Sequence, residues 1–320
     1  MSGRGRCSGE AAGRVVRWRR RPAVLALVAA LAGLVLPGAG AERLRIATYN
    51  VENYGPANRT TASGYRPEYP KPEAEKAALR EVVRLLAADV LVLQEMGPRP
   101  YLEELRRDLG RTGVHYPHAA LASAADADRH VAVLSRRPLK SVHTHTDLEF
   151  RYLGGSETVR RGLLEATIDT AAGELTLFAV HLKSRFTERP DDPLSAHRRA
   201  GEATAIRDRI LRRFPTPAAA RFLVLGDCND NRASRPVAAL QKRGRTEIAA
   251  LLPAADTRGE VWTHHYRREE TYTRVDLILV SPGLRPAIVD GVARIYDGPA
   301  VAQASDHRPV FVVLEVPGTP

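Results

Sequence analysis

Apolar positions in this chain recur with two different periods, and the switches between them mark its elements. Residues 44–51 alternate with the two-residue period of a strand, and the Gly, Pro, Asn and Ser residues of 55–72 mark a long loop. Across 73–88, Ala74, Ala77, Ala78, Val82, Leu85 and Leu86 fall at helical spacing, while Lys76, Arg80 and Arg84 take the remaining surface. That spacing predicts an amphipathic helix lying on a sheet. Residues 90–94, short, largely apolar and flanked by acids, predict a strand buried on both faces.

Strand-like runs follow at 131–135, 163–168, 175–182, 222–225, 275–280 and 310–314. A second strong helix over 195–214 sets Ala196, Ala200, Ala203, Ile206, Ile210 and Phe214 on one side, and Pro215 stops it. Many strands and few helices predict an α/β protein of two packed sheets with helices on the outer faces. No composition break is long enough for a linker and no period repeats, so one domain over 42–320 is expected. Polar residues with chemical potential cluster where the strands end, which is where α/β folds place their sites.

The 320 residues are 44% apolar and 27% charged, values that exclude a disordered or membrane-embedded chain. A formal charge of +11 points at first to a polyanionic partner. Its distribution weakens that inference: residues 1–41 hold seven of the 48 basic and one of the 37 acidic residues, which leaves +5 for 42–320. The same segment has the form of an export signal, with arginines ending at Arg21, an apolar run over 23–36 and a small-residue Ala39-Gly40-Ala41 cleavage pattern. The run is short for a membrane span, so a cleaved leader is expected, with a retained anchor as the alternative. The expected location is secreted or periplasmic. Of two cysteines, Cys7 would leave with the leader and Cys228 would remain as a free thiol.

Six motifs place acids, amides or imidazoles directly after apolar runs: TYNVEN (48–53), LVLQE (91–95), VHLKS (180–184), LGDCND (225–230), RVD (274–276) and SDH (305–307). Phosphoester hydrolysis needs a cation, a base for water and donors for developing charge, and these motifs supply candidates for each. Glu95 ends a buried strand as a hard-oxygen ligand for Mg²⁺, or else caps a helix starting near Pro100. Asp227 and Asn229, two apart, share a face in an extended segment and suit a base with an orienting amide; alone they equally suit an Asx-turn. His181 and Lys183 alternate past a strand as phosphate contacts, and Asn50 and Glu52 repeat that spacing as a donor and a ligand to metal or its water. Asp276 is a candidate to bind one imidazole nitrogen of His307 and fix its tautomer. Asp306 and His307, being adjacent, both reach a site only from a loop.

Among the arginines of the second helix, Arg198 or Arg199 is best placed to reach a substrate. Residues 147–161, with Phe150, Arg151, Tyr152, Arg160 and Arg161, predict a substrate loop of aromatics between cations. His264-His265 and His143-x-His145 have no cysteine partners and are expected to be surface pairs rather than zinc ligands.

Taken together, the motifs from Asn50 to His307 resemble the endonuclease/exonuclease/phosphatase family of DNase I-like metal-dependent phosphoesterases, and within it exported bacterial nuclease-like members. The resemblance implies a four-layer α/β sandwich, two mainly antiparallel sheets flanked by helices, and Mg²⁺-dependent hydrolysis with Mn²⁺ as the alternative ion. It implies Glu95 as the metal ligand, with Glu52 and Asp306 as further ones. Asp227, Asn229, His181, His307 and Asp276 would be catalytic, and Asn50, Lys183 and Arg199 would bind substrate. Nucleic acid is the expected substrate; the alternative is a lipid headgroup, as for sphingomyelinases, or a small phosphoester such as an inositol phosphate. A non-catalytic binding module is disfavoured because every expected catalytic position is filled. A monomer with no stable protein partner is expected. Cys228 stands where related sequences carry a larger apolar residue, which predicts a packing change.

Overall fold

The computed structural model describes residues 41–61 and 63–317. The leader expected over 1–41 lies outside them but for its last residue. In chain order the main elements are β1 (Glu42–Tyr54), α1 (Glu73–Leu86), β2 (Val90–Met96), α2 (Arg99–Arg111), β3 (His118–Ala122), β4 (His130–Ser135) and β5 (Leu139–His145). There follow β6 (Leu163–Thr170), β7 (Gly173–His181), α3 (Ala196–Arg213), β8 (Phe222–Asp227), α4 (Arg235–Gln241), β9 (Ala250–Leu251), β10 (Ala254–Ala255), β11 (Asp276–Val280), β12 (Ala293–Ile295) and β13 (Val310–Val316).

The strands form two sheets, ordered β10-β12-β13-β1-β2-β4-β3 and β9-β11-β8-β7-β6-β5. Most neighbours are antiparallel. Of the three parallel pairs among the described residues, β1/β2 and β7/β8 are joined through the helices α1 and α3, as parallel neighbours require a crossover, and β10/β12 is joined by way of β11 in the other sheet.

Alternation along each strand sorts the apolar residues into three cores. Ile46, Val90, Val92, Leu164, Ala166, Leu177, Leu225, Ile278 and Val312 fill the space between the sheets. Ala47, Tyr49, Leu91 and Leu93, one residue out of phase, face Leu79, Val82 and Val83 of α1 and Leu102 and Leu105 of α2. Phe178, Val180 and Val224 pack on Ala203, Ile206 and Ile210 of α3. The result is a four-layer α/β/β/α sandwich, as expected. Each fully buried Leu, Ile or Phe side chain contributes about 1.5–3 kcal/mol relative to exposure, so the strand phase is strongly fixed.

At one end the inter-sheet face turns polar. Following the same phase, Leu44-Ile46 continues into Thr48-Asn50, Leu175-Leu177-Ala179 into His181, Leu223-Leu225 into Asp227, and Val280-Ile278 into Asp276. A seam between two sheets thus becomes a polar end without any change of strand.

Two expectations need correction. The loop over 55–72 contains a hairpin, Ala57–Thr61 with Gly64–Tyr69. The substrate loop over 147–161 also contains a hairpin, Glu149–Tyr152 with Gly155–Thr158, and its Phe150 and Tyr152 are packed rather than presented, with Phe150 against Gly201 of α3. Elements with little apolar contrast, such as the half-exposed edge strand β5 and the alanine-rich β3, had no clear period to betray them. No helix among the described residues is long and apolar enough to cross a membrane.

Candidate active site

Strand register assembles the polar end. His181 is the parallel partner of Asp227, and Asp227 is the antiparallel partner of Asp276, so three side chains stand abreast on β7, β8 and β11. From the facing sheet, Asn50 Nδ2 donates to Asp227 Oδ2 at 3.1 Å. Ser305 Oγ donates to the Asn50 carbonyl at 2.8 Å and accepts the His307 N–H at 3.0 Å, tying the last motif to the first. His307 Nδ1 lies 2.8 Å from Asp276 Oδ2, and Asp276 is itself set by Thr263 Oγ1, which accepts the Val275 and Asp276 N–H groups at 3.1 Å. All these residues are buried.

Two positions escape strict alternation. Continuing the phase of β2 would turn Glu95 outward with Leu91 and Leu93. Instead the pairing shifts between Leu93 and Met96, and Glu95 takes φ of 59°, which returns its carboxylate toward the seam. The partner irregularity lies between Asn50 and Tyr54, with Glu52 at φ 49° and Asn53 at φ 54°. The two bulges meet: Asn53 N–H donates to Glu95 Oε2 at 3.0 Å, and Glu52 Oε2 accepts the Asp306 N–H at 3.0 Å. Left-handed backbone at a glutamate costs about 1–2 kcal/mol, so the surrounding structure enforces it. Asn229 is also left-handed, at φ 50°, so the segment after Asp227 is a tight Asx-turn and not extended as expected. Its N–H and Nδ2 donate to Asp227 at 2.7 and 3.1 Å, and Nδ2 also reaches the Leu182 carbonyl at 3.0 Å.

Burial and neighbouring charges set the protonation states. Burial, with repulsion from Asp276, raises Asp227 to about 6 despite His307 and the Asn229 N–H. Burial alone would lower His307, but the carboxylates of Asp276, Asp227 and Asp306 outweigh it and hold the imidazolium well above its usual range. Burial, Arg161 and His307 push His181 well below its usual value, so it is a neutral imidazole and its approaches of 3.6 Å to Asp227 and 4.0 Å to Glu95 are not ion pairs. Both its ring nitrogens are buried without a hydrogen-bond partner among the described residues. Asp306 would be raised by burial, yet His264, His307 and Arg267 hold it down to about 2.

These features bear on a metal ion. Glu95, Glu52 and Asp306 are partly exposed carboxylates, and the unpartnered His181 nitrogens face the same space as Glu95. Hard oxygen donors with room for water suit Mg²⁺, so the residues fit such an ion. Asp227, Asp276 and His307 also approach one another closely enough to suggest a metal group, but the 2.8 Å contact with Asp276 Oδ2 already occupies His307 Nδ1.

Glu95 opens into a cleft of about 730 Å³ that is also lined by Lys183 and Arg161. Lys183 is half-buried. Arg199 does not face this space: its guanidinium is 2% exposed and is consumed by Asp230 at 3.0 Å and by the carbonyls of Leu194 and Lys183. Arg198, one position earlier, lines the cleft. His264 was expected at the surface, yet its ring lies 4.5 Å from that of His307 and its Nε2 3.6 Å from Asp306 Oδ2, because 263–266 runs antiparallel beside 306–308. His145 instead bonds Glu165 at 2.9 Å. The sequence carried no local signal for His264 or Thr263, since both act through a pairing with distant segments. Cys228 is buried, facing α3 and α4 rather than Asp227.

Among solved structures, an endonuclease/exonuclease/phosphatase from Bacteroides vulgatus is similar at 15% identity, covering 86% of this chain and 99% of that one with a TM-score of 0.59. Sphingomyelinase C from Streptomyces griseocarneus is 17% identical over 86% and 100% of the two chains, TM-score 0.58. A double mutant of beta toxin from Staphylococcus aureus with bound magnesium ions is 14% identical over 86% and 100%, TM-score 0.57. Comparison with curated protein sequences returns no match. The profile of the Endonuclease/Exonuclease/phosphatase family matches residues 47–307, a span that runs from β1 through His307 and takes in every motif of the polar end. The chain therefore belongs to the Endonuclease/Exonuclease/phosphatase family and is a phosphoesterase.

Proposed function

We propose that the protein hydrolyses phosphodiester bonds in nucleic acid, with Asp227 as the base that activates water. The observation that carries this reading is the setting of Asp227: a buried carboxylate oriented by Asn50 and Asn229, raised to about 6, between a neutral His181 and a cationic His307. Such a base is deprotonated at neutral pH yet basic enough to accept a proton. Asp227 takes the proton of the attacking water. Asn50 and Asn229 keep its carboxylate aimed while the proton moves. His307, held by Asp276, places positive charge where the phosphorane oxygens become more negative, and His181 offers a neutral donor on the same side. A divalent cation, held by Glu95 with Glu52 and Asp306 as neighbouring carboxylates, would neutralise phosphate charge when bound. Mg²⁺ is the proposed ion, with Mn²⁺ as a substitute, and an exported location remains part of the proposal.

Nucleic acid is favoured over other phosphoesters because the cleft that begins at Glu95 is lined with cations. A lipid-headgroup diester is the second reading, supported by the fold shared with a sphingomyelinase C. The test is a Mg²⁺ activity panel of plasmid, single-stranded DNA, RNA, sphingomyelin and inositol phosphates, repeated across salt concentrations. Cleavage of nucleic acid that weakens steeply with salt is expected. Turnover of sphingomyelin or inositol phosphates alone would overturn the nucleic-acid assignment.

A further inference from the structure

The cleft beside Glu95 holds more positive charge than its own acids neutralise. Arg129, Arg160, Arg161, Lys183 and Arg198 line it. Asp126 is shared between Arg161 at 3.2 Å and Arg160 at 3.8 Å. Arg198 pairs with Glu157 at 2.6 Å, and its buried Nε lies 4.0 Å from the Glu202 carboxylate with no hydrogen-bond acceptor among the described residues. Among the described residues the Lys183 ammonium bonds neutral oxygens, those of Ser184 and the Phe186 carbonyl. Burial and then the neighbouring Arg161 and Arg198 lower Lys183 to about 8, outweighing the buried Glu202 carboxylate, which acts the other way. Glu188 stands among the lining residues but is exposed.

A second feature shares this cleft. Phe186 lines it and is 73% exposed, the most exposed large apolar side chain among the described residues. Burying an aromatic ring is favourable, and a largely exposed one with the Lys183 Nζ 6.0 Å from its centre suits a partner with both a flat apolar face and negative charge. Tyr152 also lines the cleft, with the guanidinium groups of Arg189 and Arg198 at 5.4 and 5.7 Å from its ring centre.

We infer that this cleft is a subsite for a second phosphate of the substrate, the one neighbouring the reacting phosphate on a single nucleic-acid strand, with an adjoining unpaired base stacked on Phe186. The inference rests on the nucleic-acid reading and extends it. Arg129, Arg160 and Arg198 are the phosphate donors beyond Lys183, and Phe186 selects a strand whose bases are free. A paired base offers no open face for such stacking, so single strands bind ahead of duplex.

The experiment is fluorescence anisotropy of labelled oligothymidylate in Mg²⁺ buffer with full-length Asp227→Asn protein, so that binding is read without turnover. In that background R129Q/R160Q should weaken binding about tenfold and flatten the slope of log affinity against log salt by about 0.7 for each phosphate no longer neutralised. Phe186→Ala should weaken single-strand binding by about 5- to 150-fold, the range for removing one stacked base, and leave the salt slope in place. An R129Q/R160Q protein with the parent's affinity and slope would overturn the subsite while leaving the nucleic-acid reading intact. A protein that turns over sphingomyelin but binds no oligonucleotide would instead overturn both. Tight competition by a free inositol polyphosphate, with no effect of Phe186→Ala, would assign the cleft to a polyphosphorylated headgroup and overturn the strand.

Discussion

Asp227 and His307 are separated by one shared neighbour, Asp276, and their protonation states are two aspects of one arrangement. Asp227 must be deprotonated to act, so activity should rise with pH through a limb near 6, moving lower as added Mg²⁺ places positive charge nearby. A pH profile of kcat/KM that is flat between 4 and 8 would contradict this role. Asp227→Asn or His307→Ala should each lower turnover by roughly 10²–10⁴-fold with an unchanged circular dichroism spectrum. His307 also links the site to stability. Its folded pKa is raised above the ordinary value of about 6.5, so its contribution is fully present below that pH and is lost as pH rises through the folded value. In EDTA, Tm should therefore fall on the alkaline side, and Asp276→Asn should flatten that fall. Arg199 marks a limit of reading single residues. Its place on the helix was legible, but which of two adjacent arginines turns inward depends on Asp230 and on two carbonyls that no local pattern announces.

At the level of elements, much of the site was legible because it obeys strand phase. His181, Asp227 and Asp276 sit at the ends of apolar runs, and the phase that buries Leu177, Leu225 and Ile278 between the sheets also aims these three. Glu95 was legible as a residue type but not in its direction, since the bulge that turns it back has no sequence signature. His264 and Thr263 were missed because their contribution comes from pairing with distant strands. Thr263→Val should strip an acceptor from two buried N–H groups, costing about 1–3 kcal/mol, and should loosen Asp276. The result expected is a lower Tm accompanied by a larger loss in kcat than in KM. Gly226, at φ 147°, lies so close to the Val180 carbonyl that an added Cβ would collide with it. Gly226→Ala should separate β7 from β8 just before Asp227, read as reduced soluble yield or as activity lost at ordinary Tm.

For the whole molecule, the three apolar cores explain why two packed sheets with outer helices were readable from periodicity while the substrate was not. The cores lie away from the proposed ion position, so EDTA should abolish activity and leave far-ultraviolet circular dichroism unchanged. Loss of secondary structure on chelation would mean that the ion is structural. Net charge was a poor guide to substrate because much of it lies in residues 1–41, whereas the informative charge is local, in a cleft whose walls come from separated segments.

The left-handed backbone at Glu52 and Glu95 has an evolutionary corollary. Glycine adopts that conformation freely but leaves the Asn53 N–H without its acceptor, so Glu95→Gly should abolish hydrolysis while Tm stays close to the parent's. A lineage released from catalysis could then lose the carboxylate at little cost to its fold. Among relatives, glycine at these two positions should mark descendants that kept the architecture and gave up the chemistry.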